Sequence, residues 1–234
     1  MRRVFALARQ DLLSEARSKE IAPAMVLFAL ALVFLFTFAL PPGAGRAPVP
    51  PPVAGAVAVR DMAGTFLWIA ILFAAIIGFG RSAAEEKEDS RIDGLLLAPV
   101  DPAALFLGKL LANFTFLVIL EAAALPFFIV FLDIDPTLLL PGVLPILLLA
   151  NLGLADIGTL FGAASQHARA RALILPLLSF PILLPIVLGA SRLTSDLMLT
   201  GGFATEGRWF ILLTVFDLVT LAIGMVTFEF VIQE

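Results

Sequence analysis

Four carboxylates interrupt the apolar runs of this chain: Glu121, Asp156, Asp217 and Glu229. An ionisable group costs roughly 2.5–3.5 kcal/mol at the centre of a membrane helix on insertion scales, so such residues usually face a bundle interior or water. Two chemistries follow. The acids can line a path for a proton or a substrate, or each can cap a break or meet a polar partner on a neighbouring helix. Glu121 precedes Pro126 by five residues and could satisfy a backbone group near a kink, whereas Glu229 falls near the inner end of its run. Asp156 is mid-run, and we read it as part of one stripe of small residues with Gly153, Gly158 and Gly162. Gly158 and Gly162 form a G-x-x-x-G, which lets two helices approach closely, within one chain or between two copies.

A second cluster lies outside the apolar runs. Glu85 to Asp101, EEKEDSRIDGLLLAPVD, holds six of the 19 acids between the apolar segments 65–79 and 105–120, so it must leave the membrane. Glu85, Glu86, Lys87, Glu88, Asp89, Arg91 and Asp93 precede Gly94, then Leu95, Leu96, Leu97 and Pro99. A charged half followed by leucines makes a short amphipathic rod, expected as a helix over 82–98 that a cytoplasmic partner can grip. The simpler reading is a solvated loop with a helix-starting leucine run.

Other chemistries are excluded or unsupported. There is no G-x-x-x-x-G-K-[ST], and Gly108–Lys109 lacks the earlier glycine of such a loop, so the chain should not bind ATP itself. No G-x-S-x-G or H-E-x-x-H is present. Without cysteine there are no disulfides and no thiolate sites, and a single histidine, His167, cannot build a histidine metal site. His167 reads as solvated loop surface, and Trp209 as an interfacial anchor. No basic tract suits nucleic acid. We therefore expect a non-catalytic chain that works with partners.

These groups need positioning elements, and composition names them. The 234 residues are 61% hydrophobic with a mean hydropathy of +1.05, and apolar runs of 18 or more residues recur. That pattern means an all-α polytopic membrane protein with one permease domain, 1–234. Six spans fit: roughly 23–40, 62–80, 103–132, 138–162, 172–190 and 208–231. Of the 15 basic residues, 11 fall in the amino-terminal segment and the two loops on the same side, so both termini should be cytoplasmic. Residues 2–19 lack the apolar core of a signal peptide. They place Val4, Phe5, Ala8, Leu12 and Ala16 near one face, as an amphipathic helix on the inner surface would. Residues 41–55 carry six prolines and should form an extended external loop. Pro176, Pro181 and Pro185 should kink or unwind the fifth span, with a short external helix over 191–201 after it.

At EEKEDSRIDGLLLAPVDPAALFLGKLLANFTF the chain resembles ABC-2 type permeases, which carry an acidic stretch, a glycine, leucines and a proline after their second span. It is more specifically similar to the CcmB family, through its length, its six spans, the opening RRVFALARQDLLSEARSKE and the run at 93–113. The resemblance implies a six-helix, type V exporter-like permease with an amino-terminal interfacial helix and a cytoplasmic coupling helix, in the bacterial inner membrane. It also implies a role in haem handling for cytochrome c maturation. ATP would be bound by a CcmA-like ATPase chain, and haem handled by CcmC- and CcmD-like membrane subunits with a CcmE-like chaperone that the complex releases. Two copies of the chain per complex would match two ATPase heads. This chain is not expected to ligate haem, since it has no cysteine or tyrosine, and Met62 and Met198 read as packing. Two alternatives stay open: an ABC-2 exporter of a lipid, drug or polysaccharide, and a proton-coupled transporter using Asp156 and Asp217.

Overall fold

In hydrocarbon every backbone polar group must be bonded within its own segment or sheet, which makes helices of long apolar runs. The computed structural model describes residues 2–18, 21–39, 54–88, 101–131, 134–165, 171–203 and 206–233. Among them are seven helices and no strand: α1 (Arg2–Ser18), α2 (Ile21–Ala39), α3 (Ala54–Glu88), α4 (Pro102–Phe131), α5 (Pro136–Ser165), α6 (Arg171–Thr200) and α7 (Arg208–Gln233). Six of them, α2 to α7, are long and apolar enough to cross a membrane. The chain is a multi-pass membrane protein.

Local chemistry fixes several ends. Both α4 and α5 open on an Asp-Pro pair. Asp101 Oδ1 accepts from Ala103 N at 3.1 Å, and Asp135 Oδ1 accepts from Thr137 N at 2.9 Å. In each case the carboxylate satisfies a free N–H of the first turn and proline takes the first helical position, where its missing donor is harmless. At the far end of α6, Gly201 N donates to Leu197 O at 2.9 Å with φ of 72°, the left-handed cap that favours glycine.

The arrangement centres on α5, which packs against α3, α4, α6 and α7. The spans of α3, α5 and α6 are each more than 60% buried, whereas α2 and α7 are about one-fifth buried and line the periphery. The exposed apolar side chains of α7, among them Ile211, Val226 and Phe230, face outward as lipid-facing residues do. The thirty residues of α4, α5 and α6 give about 45 Å of helix each, more than the ~30 Å hydrocarbon core, so all three continue into the interfaces.

Four sequence expectations change. Residues 191–200 are not a separate external helix but the last turns of α6. Ser191, Thr194 and Ser195 are buried there against α3, and their hydroxyls find partners, so these polar residues need not leave the helix. Pro176, Pro181 and Pro185 do not unwind the fifth span, which stays α-helical throughout. Residues 82–88 do not begin a new helix; they continue α3 past the span, which ends at Ser82. In α1, Phe5 does not share the buried face of Ala8, being 65% exposed, while Leu7 packs over Gly108 of α4.

Candidate functional site: buried acids around the central helix

Asn151, Asp156 and Thr159 of α5 are all buried; Asn151 and Thr159 turn to α4, and Asp156 turns to α7. Toward α4, Asn151 Nδ2 donates to Glu121 Oε2 at 2.7 Å. About two turns along both helices, Asn113 Nδ2 donates to Thr159 Oγ1 at 2.8 Å, and that hydroxyl donates to Ala155 O at 2.6 Å. Toward α7 the contacts are reciprocal. A Cβ on Gly153 of α5 would stand 2.5 Å from Asp217 Oδ1 of α7, and a Cβ on Gly224 of α7 would stand 3.1 Å from Asp156 Oδ1 of α5. Each helix thus meets the other's carboxylate at a glycine, the residue that leaves room for it. Asp156 and Asp217 lie within electrostatic reach of each other, with the Thr220 hydroxyl beside Asp156.

Glu121, Asp156 and Asp217 are each at most 2% exposed. Among the described residues, neither oxygen of Asp156 nor of Asp217 has a hydrogen-bond partner, and Glu121 Oε1 and Asn151 Oδ1 have none either. Bare carboxylates without donors or cations would be expensive in hydrocarbon, so these groups are chemically the most distinctive of the bundle. Glu229, by contrast, is exposed near the end of α7.

The stripe expected on α5 is in fact two faces. At 100° per residue, Gly158 lies about 160° around the helix from Asp156. Gly153 and Asp156 accordingly face α7, and Gly158 takes the Phe79 ring of α3 directly against its backbone. Gly162 lies on this second side, at a crevice lined by residues of α1, α3, α4 and α5. The G-x-x-x-G spacing therefore serves a contact within the chain.

The comparisons with known proteins enter on this geometry. A family model described as CcmB protein matches residues 2–233. The chain belongs to the CcmB family. It is similar to a protein named heme exporter protein B from Pseudomonas aeruginosa, 27% identical over 231 residues, covering 97% of this chain and 95% of that one.

Placed on this CcmB-family fold, the other sequence candidates separate. Glu85, Glu86, Lys87 and Glu88 belong to the last turns of α3, whereas Asp89, Arg91, Asp93, Gly94 and Leu95 lie outside the described residues, as does His167. Met62 is 46% exposed; Met198 is 4% exposed and packed in the core. Lys109 is 7% exposed and lines the crevice with Asp11, Asn113 and Thr159.

Sequence reasoning missed two polar contacts. Asn151 was readable, as an amide inside the run LLLANLGL, but nothing in the sequence says that it meets Glu121. Nothing in the sequence around Trp68 marks it as a hydrogen-bond donor. It is fully buried, and its Nε1 donates to Thr194 Oγ1 at 2.9 Å, next to a Thr65–Ser191 hydroxyl pair at 2.6 Å. These form a polar seam between the amino-terminal half of α3 and the carboxy-terminal half of α6. Trp209 instead donates to Glu206 Oε2 at 2.8 Å, where α7 begins.

Proposed function

We propose that this chain is the membrane permease subunit of an ABC-type complex for haem export and cytochrome c maturation, driven by an ATPase on a separate chain. The observation that carries this is a family match running from residue 2 to 233 on a bundle of six apolar helices. The name of the Pseudomonas relative points to haem as the cargo of the complex. The absence of an ATP-binding loop in the sequence fits an ATPase held elsewhere.

On this reading the acidic end of α3 and the segment after it form the coupling element. Residues 83–88, with the acids Glu85, Glu86 and Glu88, prolong α3 about 9 Å beyond the span. A helix that starts in the core and ends in the cytoplasm can carry a push at its charged tip into the bundle, because packed helices move as rigid rods. Asp89, Arg91, Asp93, Gly94 and Leu95 would complete the surface offered to the ATPase. Both termini lie in the cytoplasm, where α1 rests on the inner end of α4. Two copies serve the two ATPase heads.

Haem is the cargo of partner subunits here rather than a ligand of this chain. Haem iron takes histidine, cysteine, methionine or tyrosine, and the sequence holds one histidine and no cysteine or tyrosine. Met198 is committed to core packing. The complex would work by moving its CcmC- and CcmD-like partners so that a haem-loaded, CcmE-like chaperone is released.

The test is co-purification of the complex from native membranes with wild-type chain and with the Glu86→Lys/Asp89→Lys variant. The variant should insert and fold normally, since exposed charges contribute little to stability. It should lose ATPase association or stimulated hydrolysis, and with it cytochrome c assembly. Unchanged pull-down and hydrolysis would remove the coupling role.

A further inference from the structure

Glu121 poses a bonding problem that its surroundings solve in only one way. Its Oε2 accepts one hydrogen bond, from Asn151 Nδ2 at 2.7 Å, while Glu121 Oε1 and Asn151 Oδ1 are both buried without a partner. The two unpartnered oxygens belong to the same side-chain pair. Both are acceptors if Glu121 is a carboxylate, so they repel each other and neither is satisfied. Among the described residues no cation compensates. Lys109 on the same helix is twelve residues away, about 18 Å along the axis. Of the charged residues of α1, the one that lines the crevice with Lys109, Asn113 and Phe116 of α4 is Asp11, an acid. Neither α2 from Ile21 to Phe38 nor α3 from Met62 to Gly80 carries a titratable residue. Of the remaining neighbours, α5 brings only the acid Asp156, and α7 brings Asp217, with Arg208 and Glu229 at its two ends.

We infer that Glu121 is a proton-binding site: it holds a proton and pairs with the Asn151 carboxamide through two reciprocal hydrogen bonds that join α4 to α5. The acid O–H donates to Asn151 Oδ1 while the amide N–H donates to the acid carbonyl. Both orphaned oxygens are then satisfied, and no charge remains in hydrocarbon, where each unmet group costs several kcal/mol. The terminal torsions of Glu and Asn are broad and two-fold, so the planes can align without leaving a rotamer. Turning the amide over does not remove the need for the proton. It would set Asn151 Oδ1 against Glu121 Oε2 at the same 2.7 Å, two acceptors face to face.

The consequence reaches beyond packing. Loss of the proton would convert a two-bond clasp into a buried anion with a single donor, so this clasp, unlike the Asn113–Thr159 bond between the same helices, holds only while the site is protonated. A proton is thus a ligand of the closed bundle, bound beside the helix on which the other spans converge.

Infrared spectroscopy of the full-length chain in lipid bilayers tests this directly. Glutamate carrying ¹³C at the side-chain carboxyl separates Glu121 from Asp156 and Asp217, and the remaining described glutamates whose side chains are defined, Glu206 and Glu229, are not buried. At neutral pH, wild type should show a ¹³C-sensitive carboxylic-acid carbonyl band. Glu121→Gln, the neutral mimic of the acid, should abolish that band and keep the fold. Asn151→Ala should keep the band but shift it to higher frequency, because the acid loses its carbonyl acceptor. Should Glu121→Gln fail to fold, the labelled wild-type spectrum decides alone. A folded wild-type chain whose labelled glutamates appear only as carboxylates would overturn the inference. So would a band that survives Glu121→Gln.

Discussion

Replacing Gly158 by alanine should loosen the packing of α5 on α3, and the structure sets the scale. The new Cβ would fall within the Phe79 ring, and even the ring's Cγ would be 2.8 Å away. Ordinary carbon–carbon contact is about 3.5–4.0 Å, so the shortfall at the root of the ring is roughly 1 Å. Cγ is one bond from Cβ of Phe79 and cannot swing clear, so the helices must separate or the ring must leave a site where Phe79 is 3% exposed. Overpacking of this kind costs about 1–3 kcal/mol, of which alanine returns up to about 1 kcal/mol by restraining the unfolded chain and favouring helix. A net loss of roughly 0.5–2 kcal/mol is expected, measured by reversible unfolding in mixed micelles. Phe79→Leu alone should also destabilise, by opening a cavity, yet the double variant should recover part of the loss, with a coupling of about 1–2 kcal/mol. Chemical cross-linking of the chain in membranes supplies the contrast. If Gly158→Ala leaves unfolding unchanged and instead reduces cross-linked dimer, Gly158 faces a second copy, and the reasoning from Phe79 fails.

Two further outcomes are expected. Thr194→Val keeps the side chain's shape but strips the acceptor from the buried Trp68 indole, and should destabilise by about 1–3 kcal/mol, while Thr194→Ser keeps the hydroxyl and should stay close to wild type; equal unfolding of the two would dismiss the Trp68 hydrogen bond as a stabilising contact. A reporter that folds only outside the cytoplasm should be active when inserted beside Arg46 and silent when fused after Glu234, and activity at Glu234 would overturn the orientation drawn from the basic residues.

What the sequence made legible follows from what membranes make simple. A run of apolar residues must become a helix there, so the number and approximate place of the six spans could be read from hydropathy alone. The Asp-Pro pairs at Asp101 and Asp135 mark helix starts by local chemistry that needs no tertiary information. The fifth span shows the limit of that approach. Ser191, Arg192, Thr194, Ser195 and Asp196 lower the hydropathy enough to suggest that the chain has left the membrane. What holds Ser191 and Thr194 in helix α6 is the Thr65 hydroxyl and the Trp68 indole of α3, more than a hundred residues away in sequence.

The harder quantity is the direction in which each side chain points around its helix. In soluble proteins the apolar stripe reveals that direction, because water selects the polar face. In this bundle lipid and core are equally apolar, and hydrophobic periodicity carries almost no information on azimuth. Polar and small residues are then the only markers, and they must be read by angle rather than by proximity in sequence. Gly153 and Asp156 are about 60° apart on α5, but Gly158 lies about 160° from Asp156, so grouping all four small or acidic positions into one stripe joined two opposite contacts. The same angular reading places Asn151 about 140° from Asp156. One face of α5 is thereby given to Glu121 on α4 and another to Asp217 on α7. A central helix with acids on two sides cannot shift against α4 without exposing the Glu121–Asn151 pair, nor against α7 without moving Asp217 off Gly153. On the proposed coupling role, motion that passes from α3 into α5 would meet these two contacts.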